Sequence, residues 1–403
     1  MTREEVYIEC LTKLEKSDFL LLELATGMGK SKQAIDIINY LVETKYQGKH
    51  TSMLLLVAKT VHKQTWKDEF KKWGGINVDE LTIECYESLK KHEYESFDFV
   101  VMDEMHHLHS EKRLDLFSTL TYGNVIGLSA TIPKKLKQYF QYEYAAEVVT
   151  CSIVDAIEDE VLPEPQIILY PLQLDNVRPT ESIEVNPKAK GKTYYGNYNE
   201  LWKYRKMKVH AIISCTPRQR VNEYNSQILY EKNRYMRTRQ DFLKNKWLFD
   251  CGERIKYLAN LKNNIVLSIL QRLEKERTIT FCKTIEQADI LGKYSIHSKN
   301  KDSDIIYNNF NAKKINHIVS VNVLNEGANL VDCKYAVFAN YSSSEICSAQ
   351  RVGRPLRHKS PVIILPYYEA TREEEIVNTM IESFKEESIH TIHSLKELDK
   401  FIQ

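Results

Sequence analysis

The chain has 403 residues, enough at about 100–200 residues per domain for two domains and a small third. Hydrophobic residues at 43% and charged residues at 28% supply real cores and exclude global disorder. Lys and Arg number 56 against 55 Asp and Glu, so overall charge argues for no particular partner, and the longest apolar runs, Phe19–Leu22 and Met53–Ala58, fall far short of the roughly 20 residues that cross a bilayer.

No membrane partner is expected. Glu4 and Glu5 stand where a secretory signal would be basic and then apolar, which points to a cytoplasmic, reducing location. The eight cysteines form no C-x-x-C pair, so neither a zinc site nor a disulfide framework is expected.

In chain order, Phe19–Ala25, Met53–Ala58, Leu81–Cys85, Phe97–Met102 and Val125–Ser129 are short apolar runs separated by helical stretches. That rhythm predicts a parallel sheet covered by helices. Two prolines, Pro163 and Pro165, interrupt it and set the first domain at 1–162, followed by a linker and the start of the second domain at 163–176. A second alternating region holds the predicted strands Arg277–Cys282, Ile315–Val321, Tyr335–Ala339 and Val362–Pro366, within a domain at 258–366. Between the two lies a basic, aromatic-rich insertion at 177–257 that reads as mainly helical. The tail at 367–403 reads as amphipathic helix, with Ile376, Met380, Ile381 and Phe384 on one face.

The first run ends in Ala25-Thr26-Gly27-Met28-Gly29-Lys30-Ser31 and leads into a helical pattern. A glycine-bearing turn from strand to helix presents N–H groups to phosphate at the positive helix end. Lys30 would reach the terminal phosphates and Ser31 would ligate magnesium. The run Phe97–Met102 ends in Asp103 and Glu104. Asp103 can hold Mg2+ and Glu104 can activate water for attack on a γ-phosphate, so a nucleoside triphosphate with Mg2+ is expected.

These segments, in this order, resemble a superfamily 2 helicase or translocase of the DExH type, whose fold is two RecA-like α/β domains. Ala25–Ser31 is similar to motif I, Val57–Trp66 to motif Ia, Asp103–His106 to motif II and Ser129-Ala130-Thr131 to motif III. Thr278–Cys282 resembles motif IV, Val321–Leu330 motif V and Gln350–Arg357 motif VI. The resemblance implies nucleotide contacts from Thr26, Gly27, Gly29, Lys30, Ser31, Gly327 and Asn329, with catalytic roles for Glu104, Gln350, Arg354 and Arg357. It also implies coupling through His106, Ser129 and Thr131, and nucleic-acid contacts from Lys59 and Thr60. The family's glutamine upstream of motif I has no counterpart, since the first glutamine is Gln33.

Within the insertion, residues 188–256 hold 17 Lys and Arg against 6 Asp and Glu, interleaved with aromatics. Cations neutralise phosphates and flat rings stack on unpaired bases, so Arg234, Arg237 and Arg239 are candidate nucleic-acid contacts. The insertion and the tail are also candidate docking surfaces for a protein. Trp66, Phe70 and Trp73 fall at helical spacing and read as packing residues. The expected activity is an ATP-dependent helicase or translocase. Asp-Glu-Met-His at 103–106 and Asn325-Glu326-Gly327 depart from the RNA-helicase pattern and favour DNA over RNA. The alternatives are a nucleic-acid-stimulated ATPase switch without strand separation, and an RNA helicase.

Overall fold

Strands with almost no exposed side chain need cover on both faces, and that requirement organises the chain. A computed structural model describes residues 1–321, 324, 330–341, 351–353 and 355–402, excepting the side chains at 61 and 356. Six strands, β1 (Phe19–Leu24), β2 (Ser52–Val57), β3 (Glu80–Cys85), β4 (Ser96–Asp103), β5 (Thr121–Ser129) and β6 (Glu147–Cys151), form one parallel sheet in the order β3-β2-β4-β5-β1-β6. The edge strand β3 has no fully buried side chain, and the other edge strand, β6, is only partly buried.

Helices α1 (Arg3–Leu14), α2 (Lys30–Thr44), α3 (Thr60–Lys72), α4 (Glu111–Ser118), α5 (Lys134–Tyr144) and α6 (Ile153–Glu158) belong to this first unit. α2 buries Ala34, Ile35, Ile37, Ile38 and Leu41, the spacing of one helix face. α1 is closed by a capping box between Thr2 and Glu5.

The chain then enters a second sheet. β7 (Gln166–Leu172) lies in it, beside strands that follow much later in sequence. Next come β8 (Glu181–Val185), β9 (Tyr194–Asn197), α7 (Leu201–Met207), β10 (Ala211–Cys215), α8 (Pro217–Thr238) and α9 (Asp241–Leu261). β8, β10 and β9 make a separate three-stranded sheet with its own core of Ile183, Val185, Leu201, Tyr204, Ala211 and Ile213. The basic insertion therefore carries a small sheet that the helical reading did not anticipate, beside a long α8–α9 hairpin.

The second unit continues with α10 (Asn263–Arg272), β11 (Thr278–Phe281), α11 (Ile285–Leu291), β12 (Ser295–Ile296), α12 (Ser303–Asn311), β13 (His317–Ser320), β14 (Tyr335–Phe338) and β15 (Val362–Tyr368). α13 (Arg372–Ile381), β16 (Ile389–Thr391) and α14 (Leu395–Leu398) close the chain. The seven strands are parallel in the order β12-β13-β11-β14-β15-β7-β16. The tail departs from a purely helical reading: after α13 it adds β16 to the edge beside β7, while Ile376, Met380, Ile381 and Phe384 pack on the core. No described helix is long and apolar enough to cross a membrane.

One buried ion pair fastens the insertion to the second unit. Lys262, at the junction of α9 and α10, is wholly buried with its Nζ 2.6 Å from Glu373 Oε1. Glu373 Oε2 accepts from the Tyr368 N–H at 3.1 Å, and the ammonium lies 4.6 Å from the Tyr341 ring centre. Burial pulls the Lys262 pKa down, and Glu373 opposes the shift. Removing one partner strands a buried charge, so Glu373→Ala should cost about 3–5 kcal/mol in denaturant unfolding, whereas the apolar pair Lys262→Met with Glu373→Leu should recover most of it.

Candidate nucleotide and nucleic-acid sites

Parallel strands deliver all their C-terminal ends to one edge of a sheet, where ligands of open α/β sheets bind. β4, β5 and β1 are neighbours, so Asp103, Ser129 and the loop after Leu24 converge there. Gly27 at φ 101° and Gly29 at φ 86° hold the left-handed backbone that lets the loop turn its N–H groups inward ahead of α2. Lys30 folds its Nζ back onto the Leu24 carbonyl at 2.9 Å, and Ser31 lies in the first turn of α2.

Across from the loop, Asp103 is gripped at both ends. Its Oδ2 accepts from the Trp66 indole N–H at 2.9 Å, and its backbone carbonyl accepts from the Tyr86 hydroxyl at 2.9 Å. Burial pushes the Asp103 carboxyl upward, against the Trp66 hydrogen bond and the charge of Lys30. Glu104 is buried and sits in the left-handed region at φ 51°, a strained geometry for a residue with a side chain. His106 Nδ1 is 3.5 Å from Glu104 Oε2 and 3.1 Å from Ser129 Oγ, and Ser129 donates to the Thr131 carbonyl at 2.7 Å. The three residues read as a coupling set thus form one chain of contacts beside Glu104.

The donor set fits magnesium bound with a nucleotide. A hydroxyl at Ser31 and a partly desolvated carboxylate at Asp103 are hard oxygen ligands. Among the described residues no cluster of three or more His, Cys, Asp or Glu could hold a metal, so the ion would depend on phosphate oxygens for its remaining ligands. Bound there, it would neutralise charge on the terminal phosphates.

The second unit closes directly on the loop. A Cβ built at Gly353 would stand 2.5 Å from Thr26 Cβ, so only glycine allows this approach. Val352 shares one apolar cluster with Ala25, Met28 and Leu162. Arg351 is buried and donates to the Asn340 carbonyl at 3.2 Å. Arg357 is exposed, within electrostatic reach of Tyr307 and of Glu69 on α3. Gln350, Arg354, Gly327 and Asn329 lie outside the described residues.

Two family profiles match the chain: one described as "Type III restriction enzyme, res subunit" over residues 3–134, the other as "Helicase conserved C-terminal domain" over 261–359. The chain belongs to the superfamily 2 helicases. Both matches fall on the two parallel-sheet units and leave the insertion uncovered. Protein QP509L of African swine fever virus (isolate Pig/Kenya/KEN-50/1950), which carries a provisional name as an ATP-dependent RNA helicase, is 29% identical over 131 residues, covering 27% of this chain and 24% of its own length.

Among solved structures, the ATP-dependent Type ISP restriction-modification enzyme LlaBIII bound to DNA shares the fold at TM-score 0.55 and 13% identity, over 100% of this chain and 32% of that one. A variant of S. cerevisiae Dbp5 bound to RNA and ADP BeF3 matches at TM-score 0.60 and 12% identity, over 99% and 92%. The chain spans about a quarter of the length of the viral relative and about a third of the restriction enzyme.

Some site residues were invisible to sequence reasoning. Trp66, read as packing, is also the hydrogen-bond donor to Asp103. Arg3 donates to the Gly27 carbonyl at 3.1 Å, and the Gln33 amide holds the Arg3 carbonyl at 2.7 Å, so α1 braces the phosphate loop from behind. Neither pattern nor spacing marks an indole N–H or an N-terminal arginine for such work.

On the insertion, Arg234 bonds Glu231 at 3.2 Å, and Lys246 bonds the same buried carboxylate, while Tyr235 stacks on Trp247 at 6.1 Å. Lys246 therefore ties α9 to α8 through Glu231, while Arg234 pairs with that carboxylate from within α8. Arg237 and Arg239 are exposed near the hairpin tip, among exposed Tyr230, Phe242 and Phe249. Lys59 and Thr60 begin α3, with Thr60 Oγ1 3.8 Å from Cys85 Sγ.

The contact between Gly353 and Thr26 yields a test. Gly353→Ala should force the two units apart by a few tenths of an ångström or more and lower any nucleotide turnover about a hundredfold, as misplaced groups do, with the thermal midpoint little changed. Steady-state hydrolysis and melting of the variant measure both.

Proposed function

We propose that this helicase is an ATP-driven motor on nucleic acid, with DNA the preferred strand. The observation that carries the reading is the convergence of Lys30, Asp103 and Glu104 at one sheet edge, with Gly353 of the second unit laid on Thr26. Nucleotide held by Thr26, Gly27, Gly29, Lys30 and Ser31 would hold the two units together, and hydrolysis would release them. Glu104 would take the proton of the attacking water, and arginines of the 350–357 segment would meet the charge on the transferred phosphoryl group. His106, Ser129 and Thr131 would report that event to the nucleic-acid face.

Nucleic acid would run past Lys59 and Thr60 and along the basic hairpin, whose exposed rings suit unpaired bases. Preference for DNA rests on the sequence departures at 103–106 and 325–327. ATP hydrolysis measured with single-stranded DNA, duplex DNA and RNA, beside strand displacement, tests the reading. Stimulation by DNA with displacement supports it. Stimulation without displacement assigns a switch instead, and stimulation by RNA alone assigns an RNA motor.

Lys30→Ala should abolish hydrolysis by removing the cation at the terminal phosphates, while Glu104→Gln should bind nucleotide and fail to turn over. Replacing Arg237 and Arg239 by Gln should leave basal hydrolysis intact, weaken DNA binding and flatten its salt dependence by about 0.7–0.9 log units per lost phosphate contact. An unchanged salt slope places the strand elsewhere.

A further inference from the structure

Helix α3 touches all the parts of the machine that must act together. Lys59 is its N-cap and Thr60 its first residue, at the edge proposed to face nucleic acid. Two turns on, the buried Trp66 donates its indole N–H to Asp103 Oδ2 at 2.9 Å. One turn further, Glu69 lies within electrostatic reach of Arg357 from the second unit, and Trp73 fixes Glu69 by donating to its Oε2 at 2.6 Å.

We propose that Trp66 is a positioning residue through which α3 converts nucleic-acid contact at Lys59 and Thr60 into the orientation of the Asp103 carboxylate. The inference rests on the nucleotide-site reading above. A 13-residue helix is about 20 Å long and moves as a rod. Tension on its N-terminal end therefore shifts the indole, and a hydrogen bond loses most of its strength beyond about 3.5 Å. With the Asp103 carbonyl held by Tyr86, the carboxylate is the part free to respond. It accepts the indole N–H through Oδ2.

Packing alone does not require this arrangement. Trp66 already packs against Phe70, with ring centres 5.6 Å apart and the planes tilted, and a phenylalanine would keep that contact. What only tryptophan supplies here is the N–H aimed at the carboxylate. Coupling of this kind is reciprocal, so the factor by which nucleic acid tightens Mg2+·ADP must equal the factor by which Mg2+·ADP tightens nucleic acid.

The protein has four tryptophans, so Trp73→Phe, Trp202→Phe and Trp247→Phe together leave Trp66 as the single reporter. Its emission should change when Mg2+·ADP is added, change again with a single-stranded DNA oligonucleotide, and stay constant with ADP in EDTA. In the otherwise intact chain, Trp66→Phe should melt normally, bind ADP in EDTA normally, and lose the coupling factor between Mg2+·ADP and oligonucleotide from several-fold to near one. Emission indifferent to Mg2+·ADP, or undiminished coupling in Trp66→Phe, overturns the proposal. Should Trp66→Phe fold poorly, the single-tryptophan protein still decides. Lys30→Ala separates the two levels: if it binds Mg2+·ADP as the parent does, the nucleotide-site reading falls too, whereas loss of binding there with a silent Trp66 overturns only the coupling.

Discussion

A pair of carboxylates at the end of a buried apolar strand is the constraint on which the rest depends. β4 carries Phe97, Phe99, Val100, Val101 and Met102 into the core and then delivers Asp103 and Glu104 where water is scarce. Negative charge in that position is costly unless neighbours answer it. Lys30 answers from the phosphate loop, Trp66 from α3, and His106 from the turn that follows. Each comes from a different element, so the sheet order β4-β5-β1 brings them to one place.

The second constraint is the approach of the two units. An apolar cluster continuous from Ala25 and Met28 to Val352 keeps the 351–353 segment against the loop, and glycine at 353 makes the spacing close. The insertion is fastened to the second unit through Lys262, whose ammonium meets Glu373 and the Tyr341 ring.

Much of this was legible in the sequence, for physical reasons. Strands buried on both faces are continuous apolar runs, so β1, β2, β4, β5, β11, β14 and β15 announce themselves, and the motif spacing places the loop, the acids and Ser129. The two residues of β12 carry too little pattern, and the exposed side chains of β8 and β9 hide the insertion's sheet among charges. β16 escaped because a three-residue edge strand follows a good amphipathic helix. Arg234 shows the limit of charge counting: its guanidinium pairs with buried Glu231, a partner three residues away that composition cannot distinguish from a solvated neighbour. Trp66 shows the limit of periodicity, which locates the face of an indole and says nothing of its N–H.

The most direct measurement is a structure of the protein with Mg2+ and ADP·BeF3. The account predicts phosphate oxygens on the backbone from Gly27 to Ser31, Lys30 released from the Leu24 carbonyl to meet them, Mg2+ between Ser31 and Asp103, and Gly353 still against Thr26. Nucleotide bound away from the β4-β5-β1 edge, or bound there with the two units parted and no residue from 351–357 near the phosphates, would contradict it.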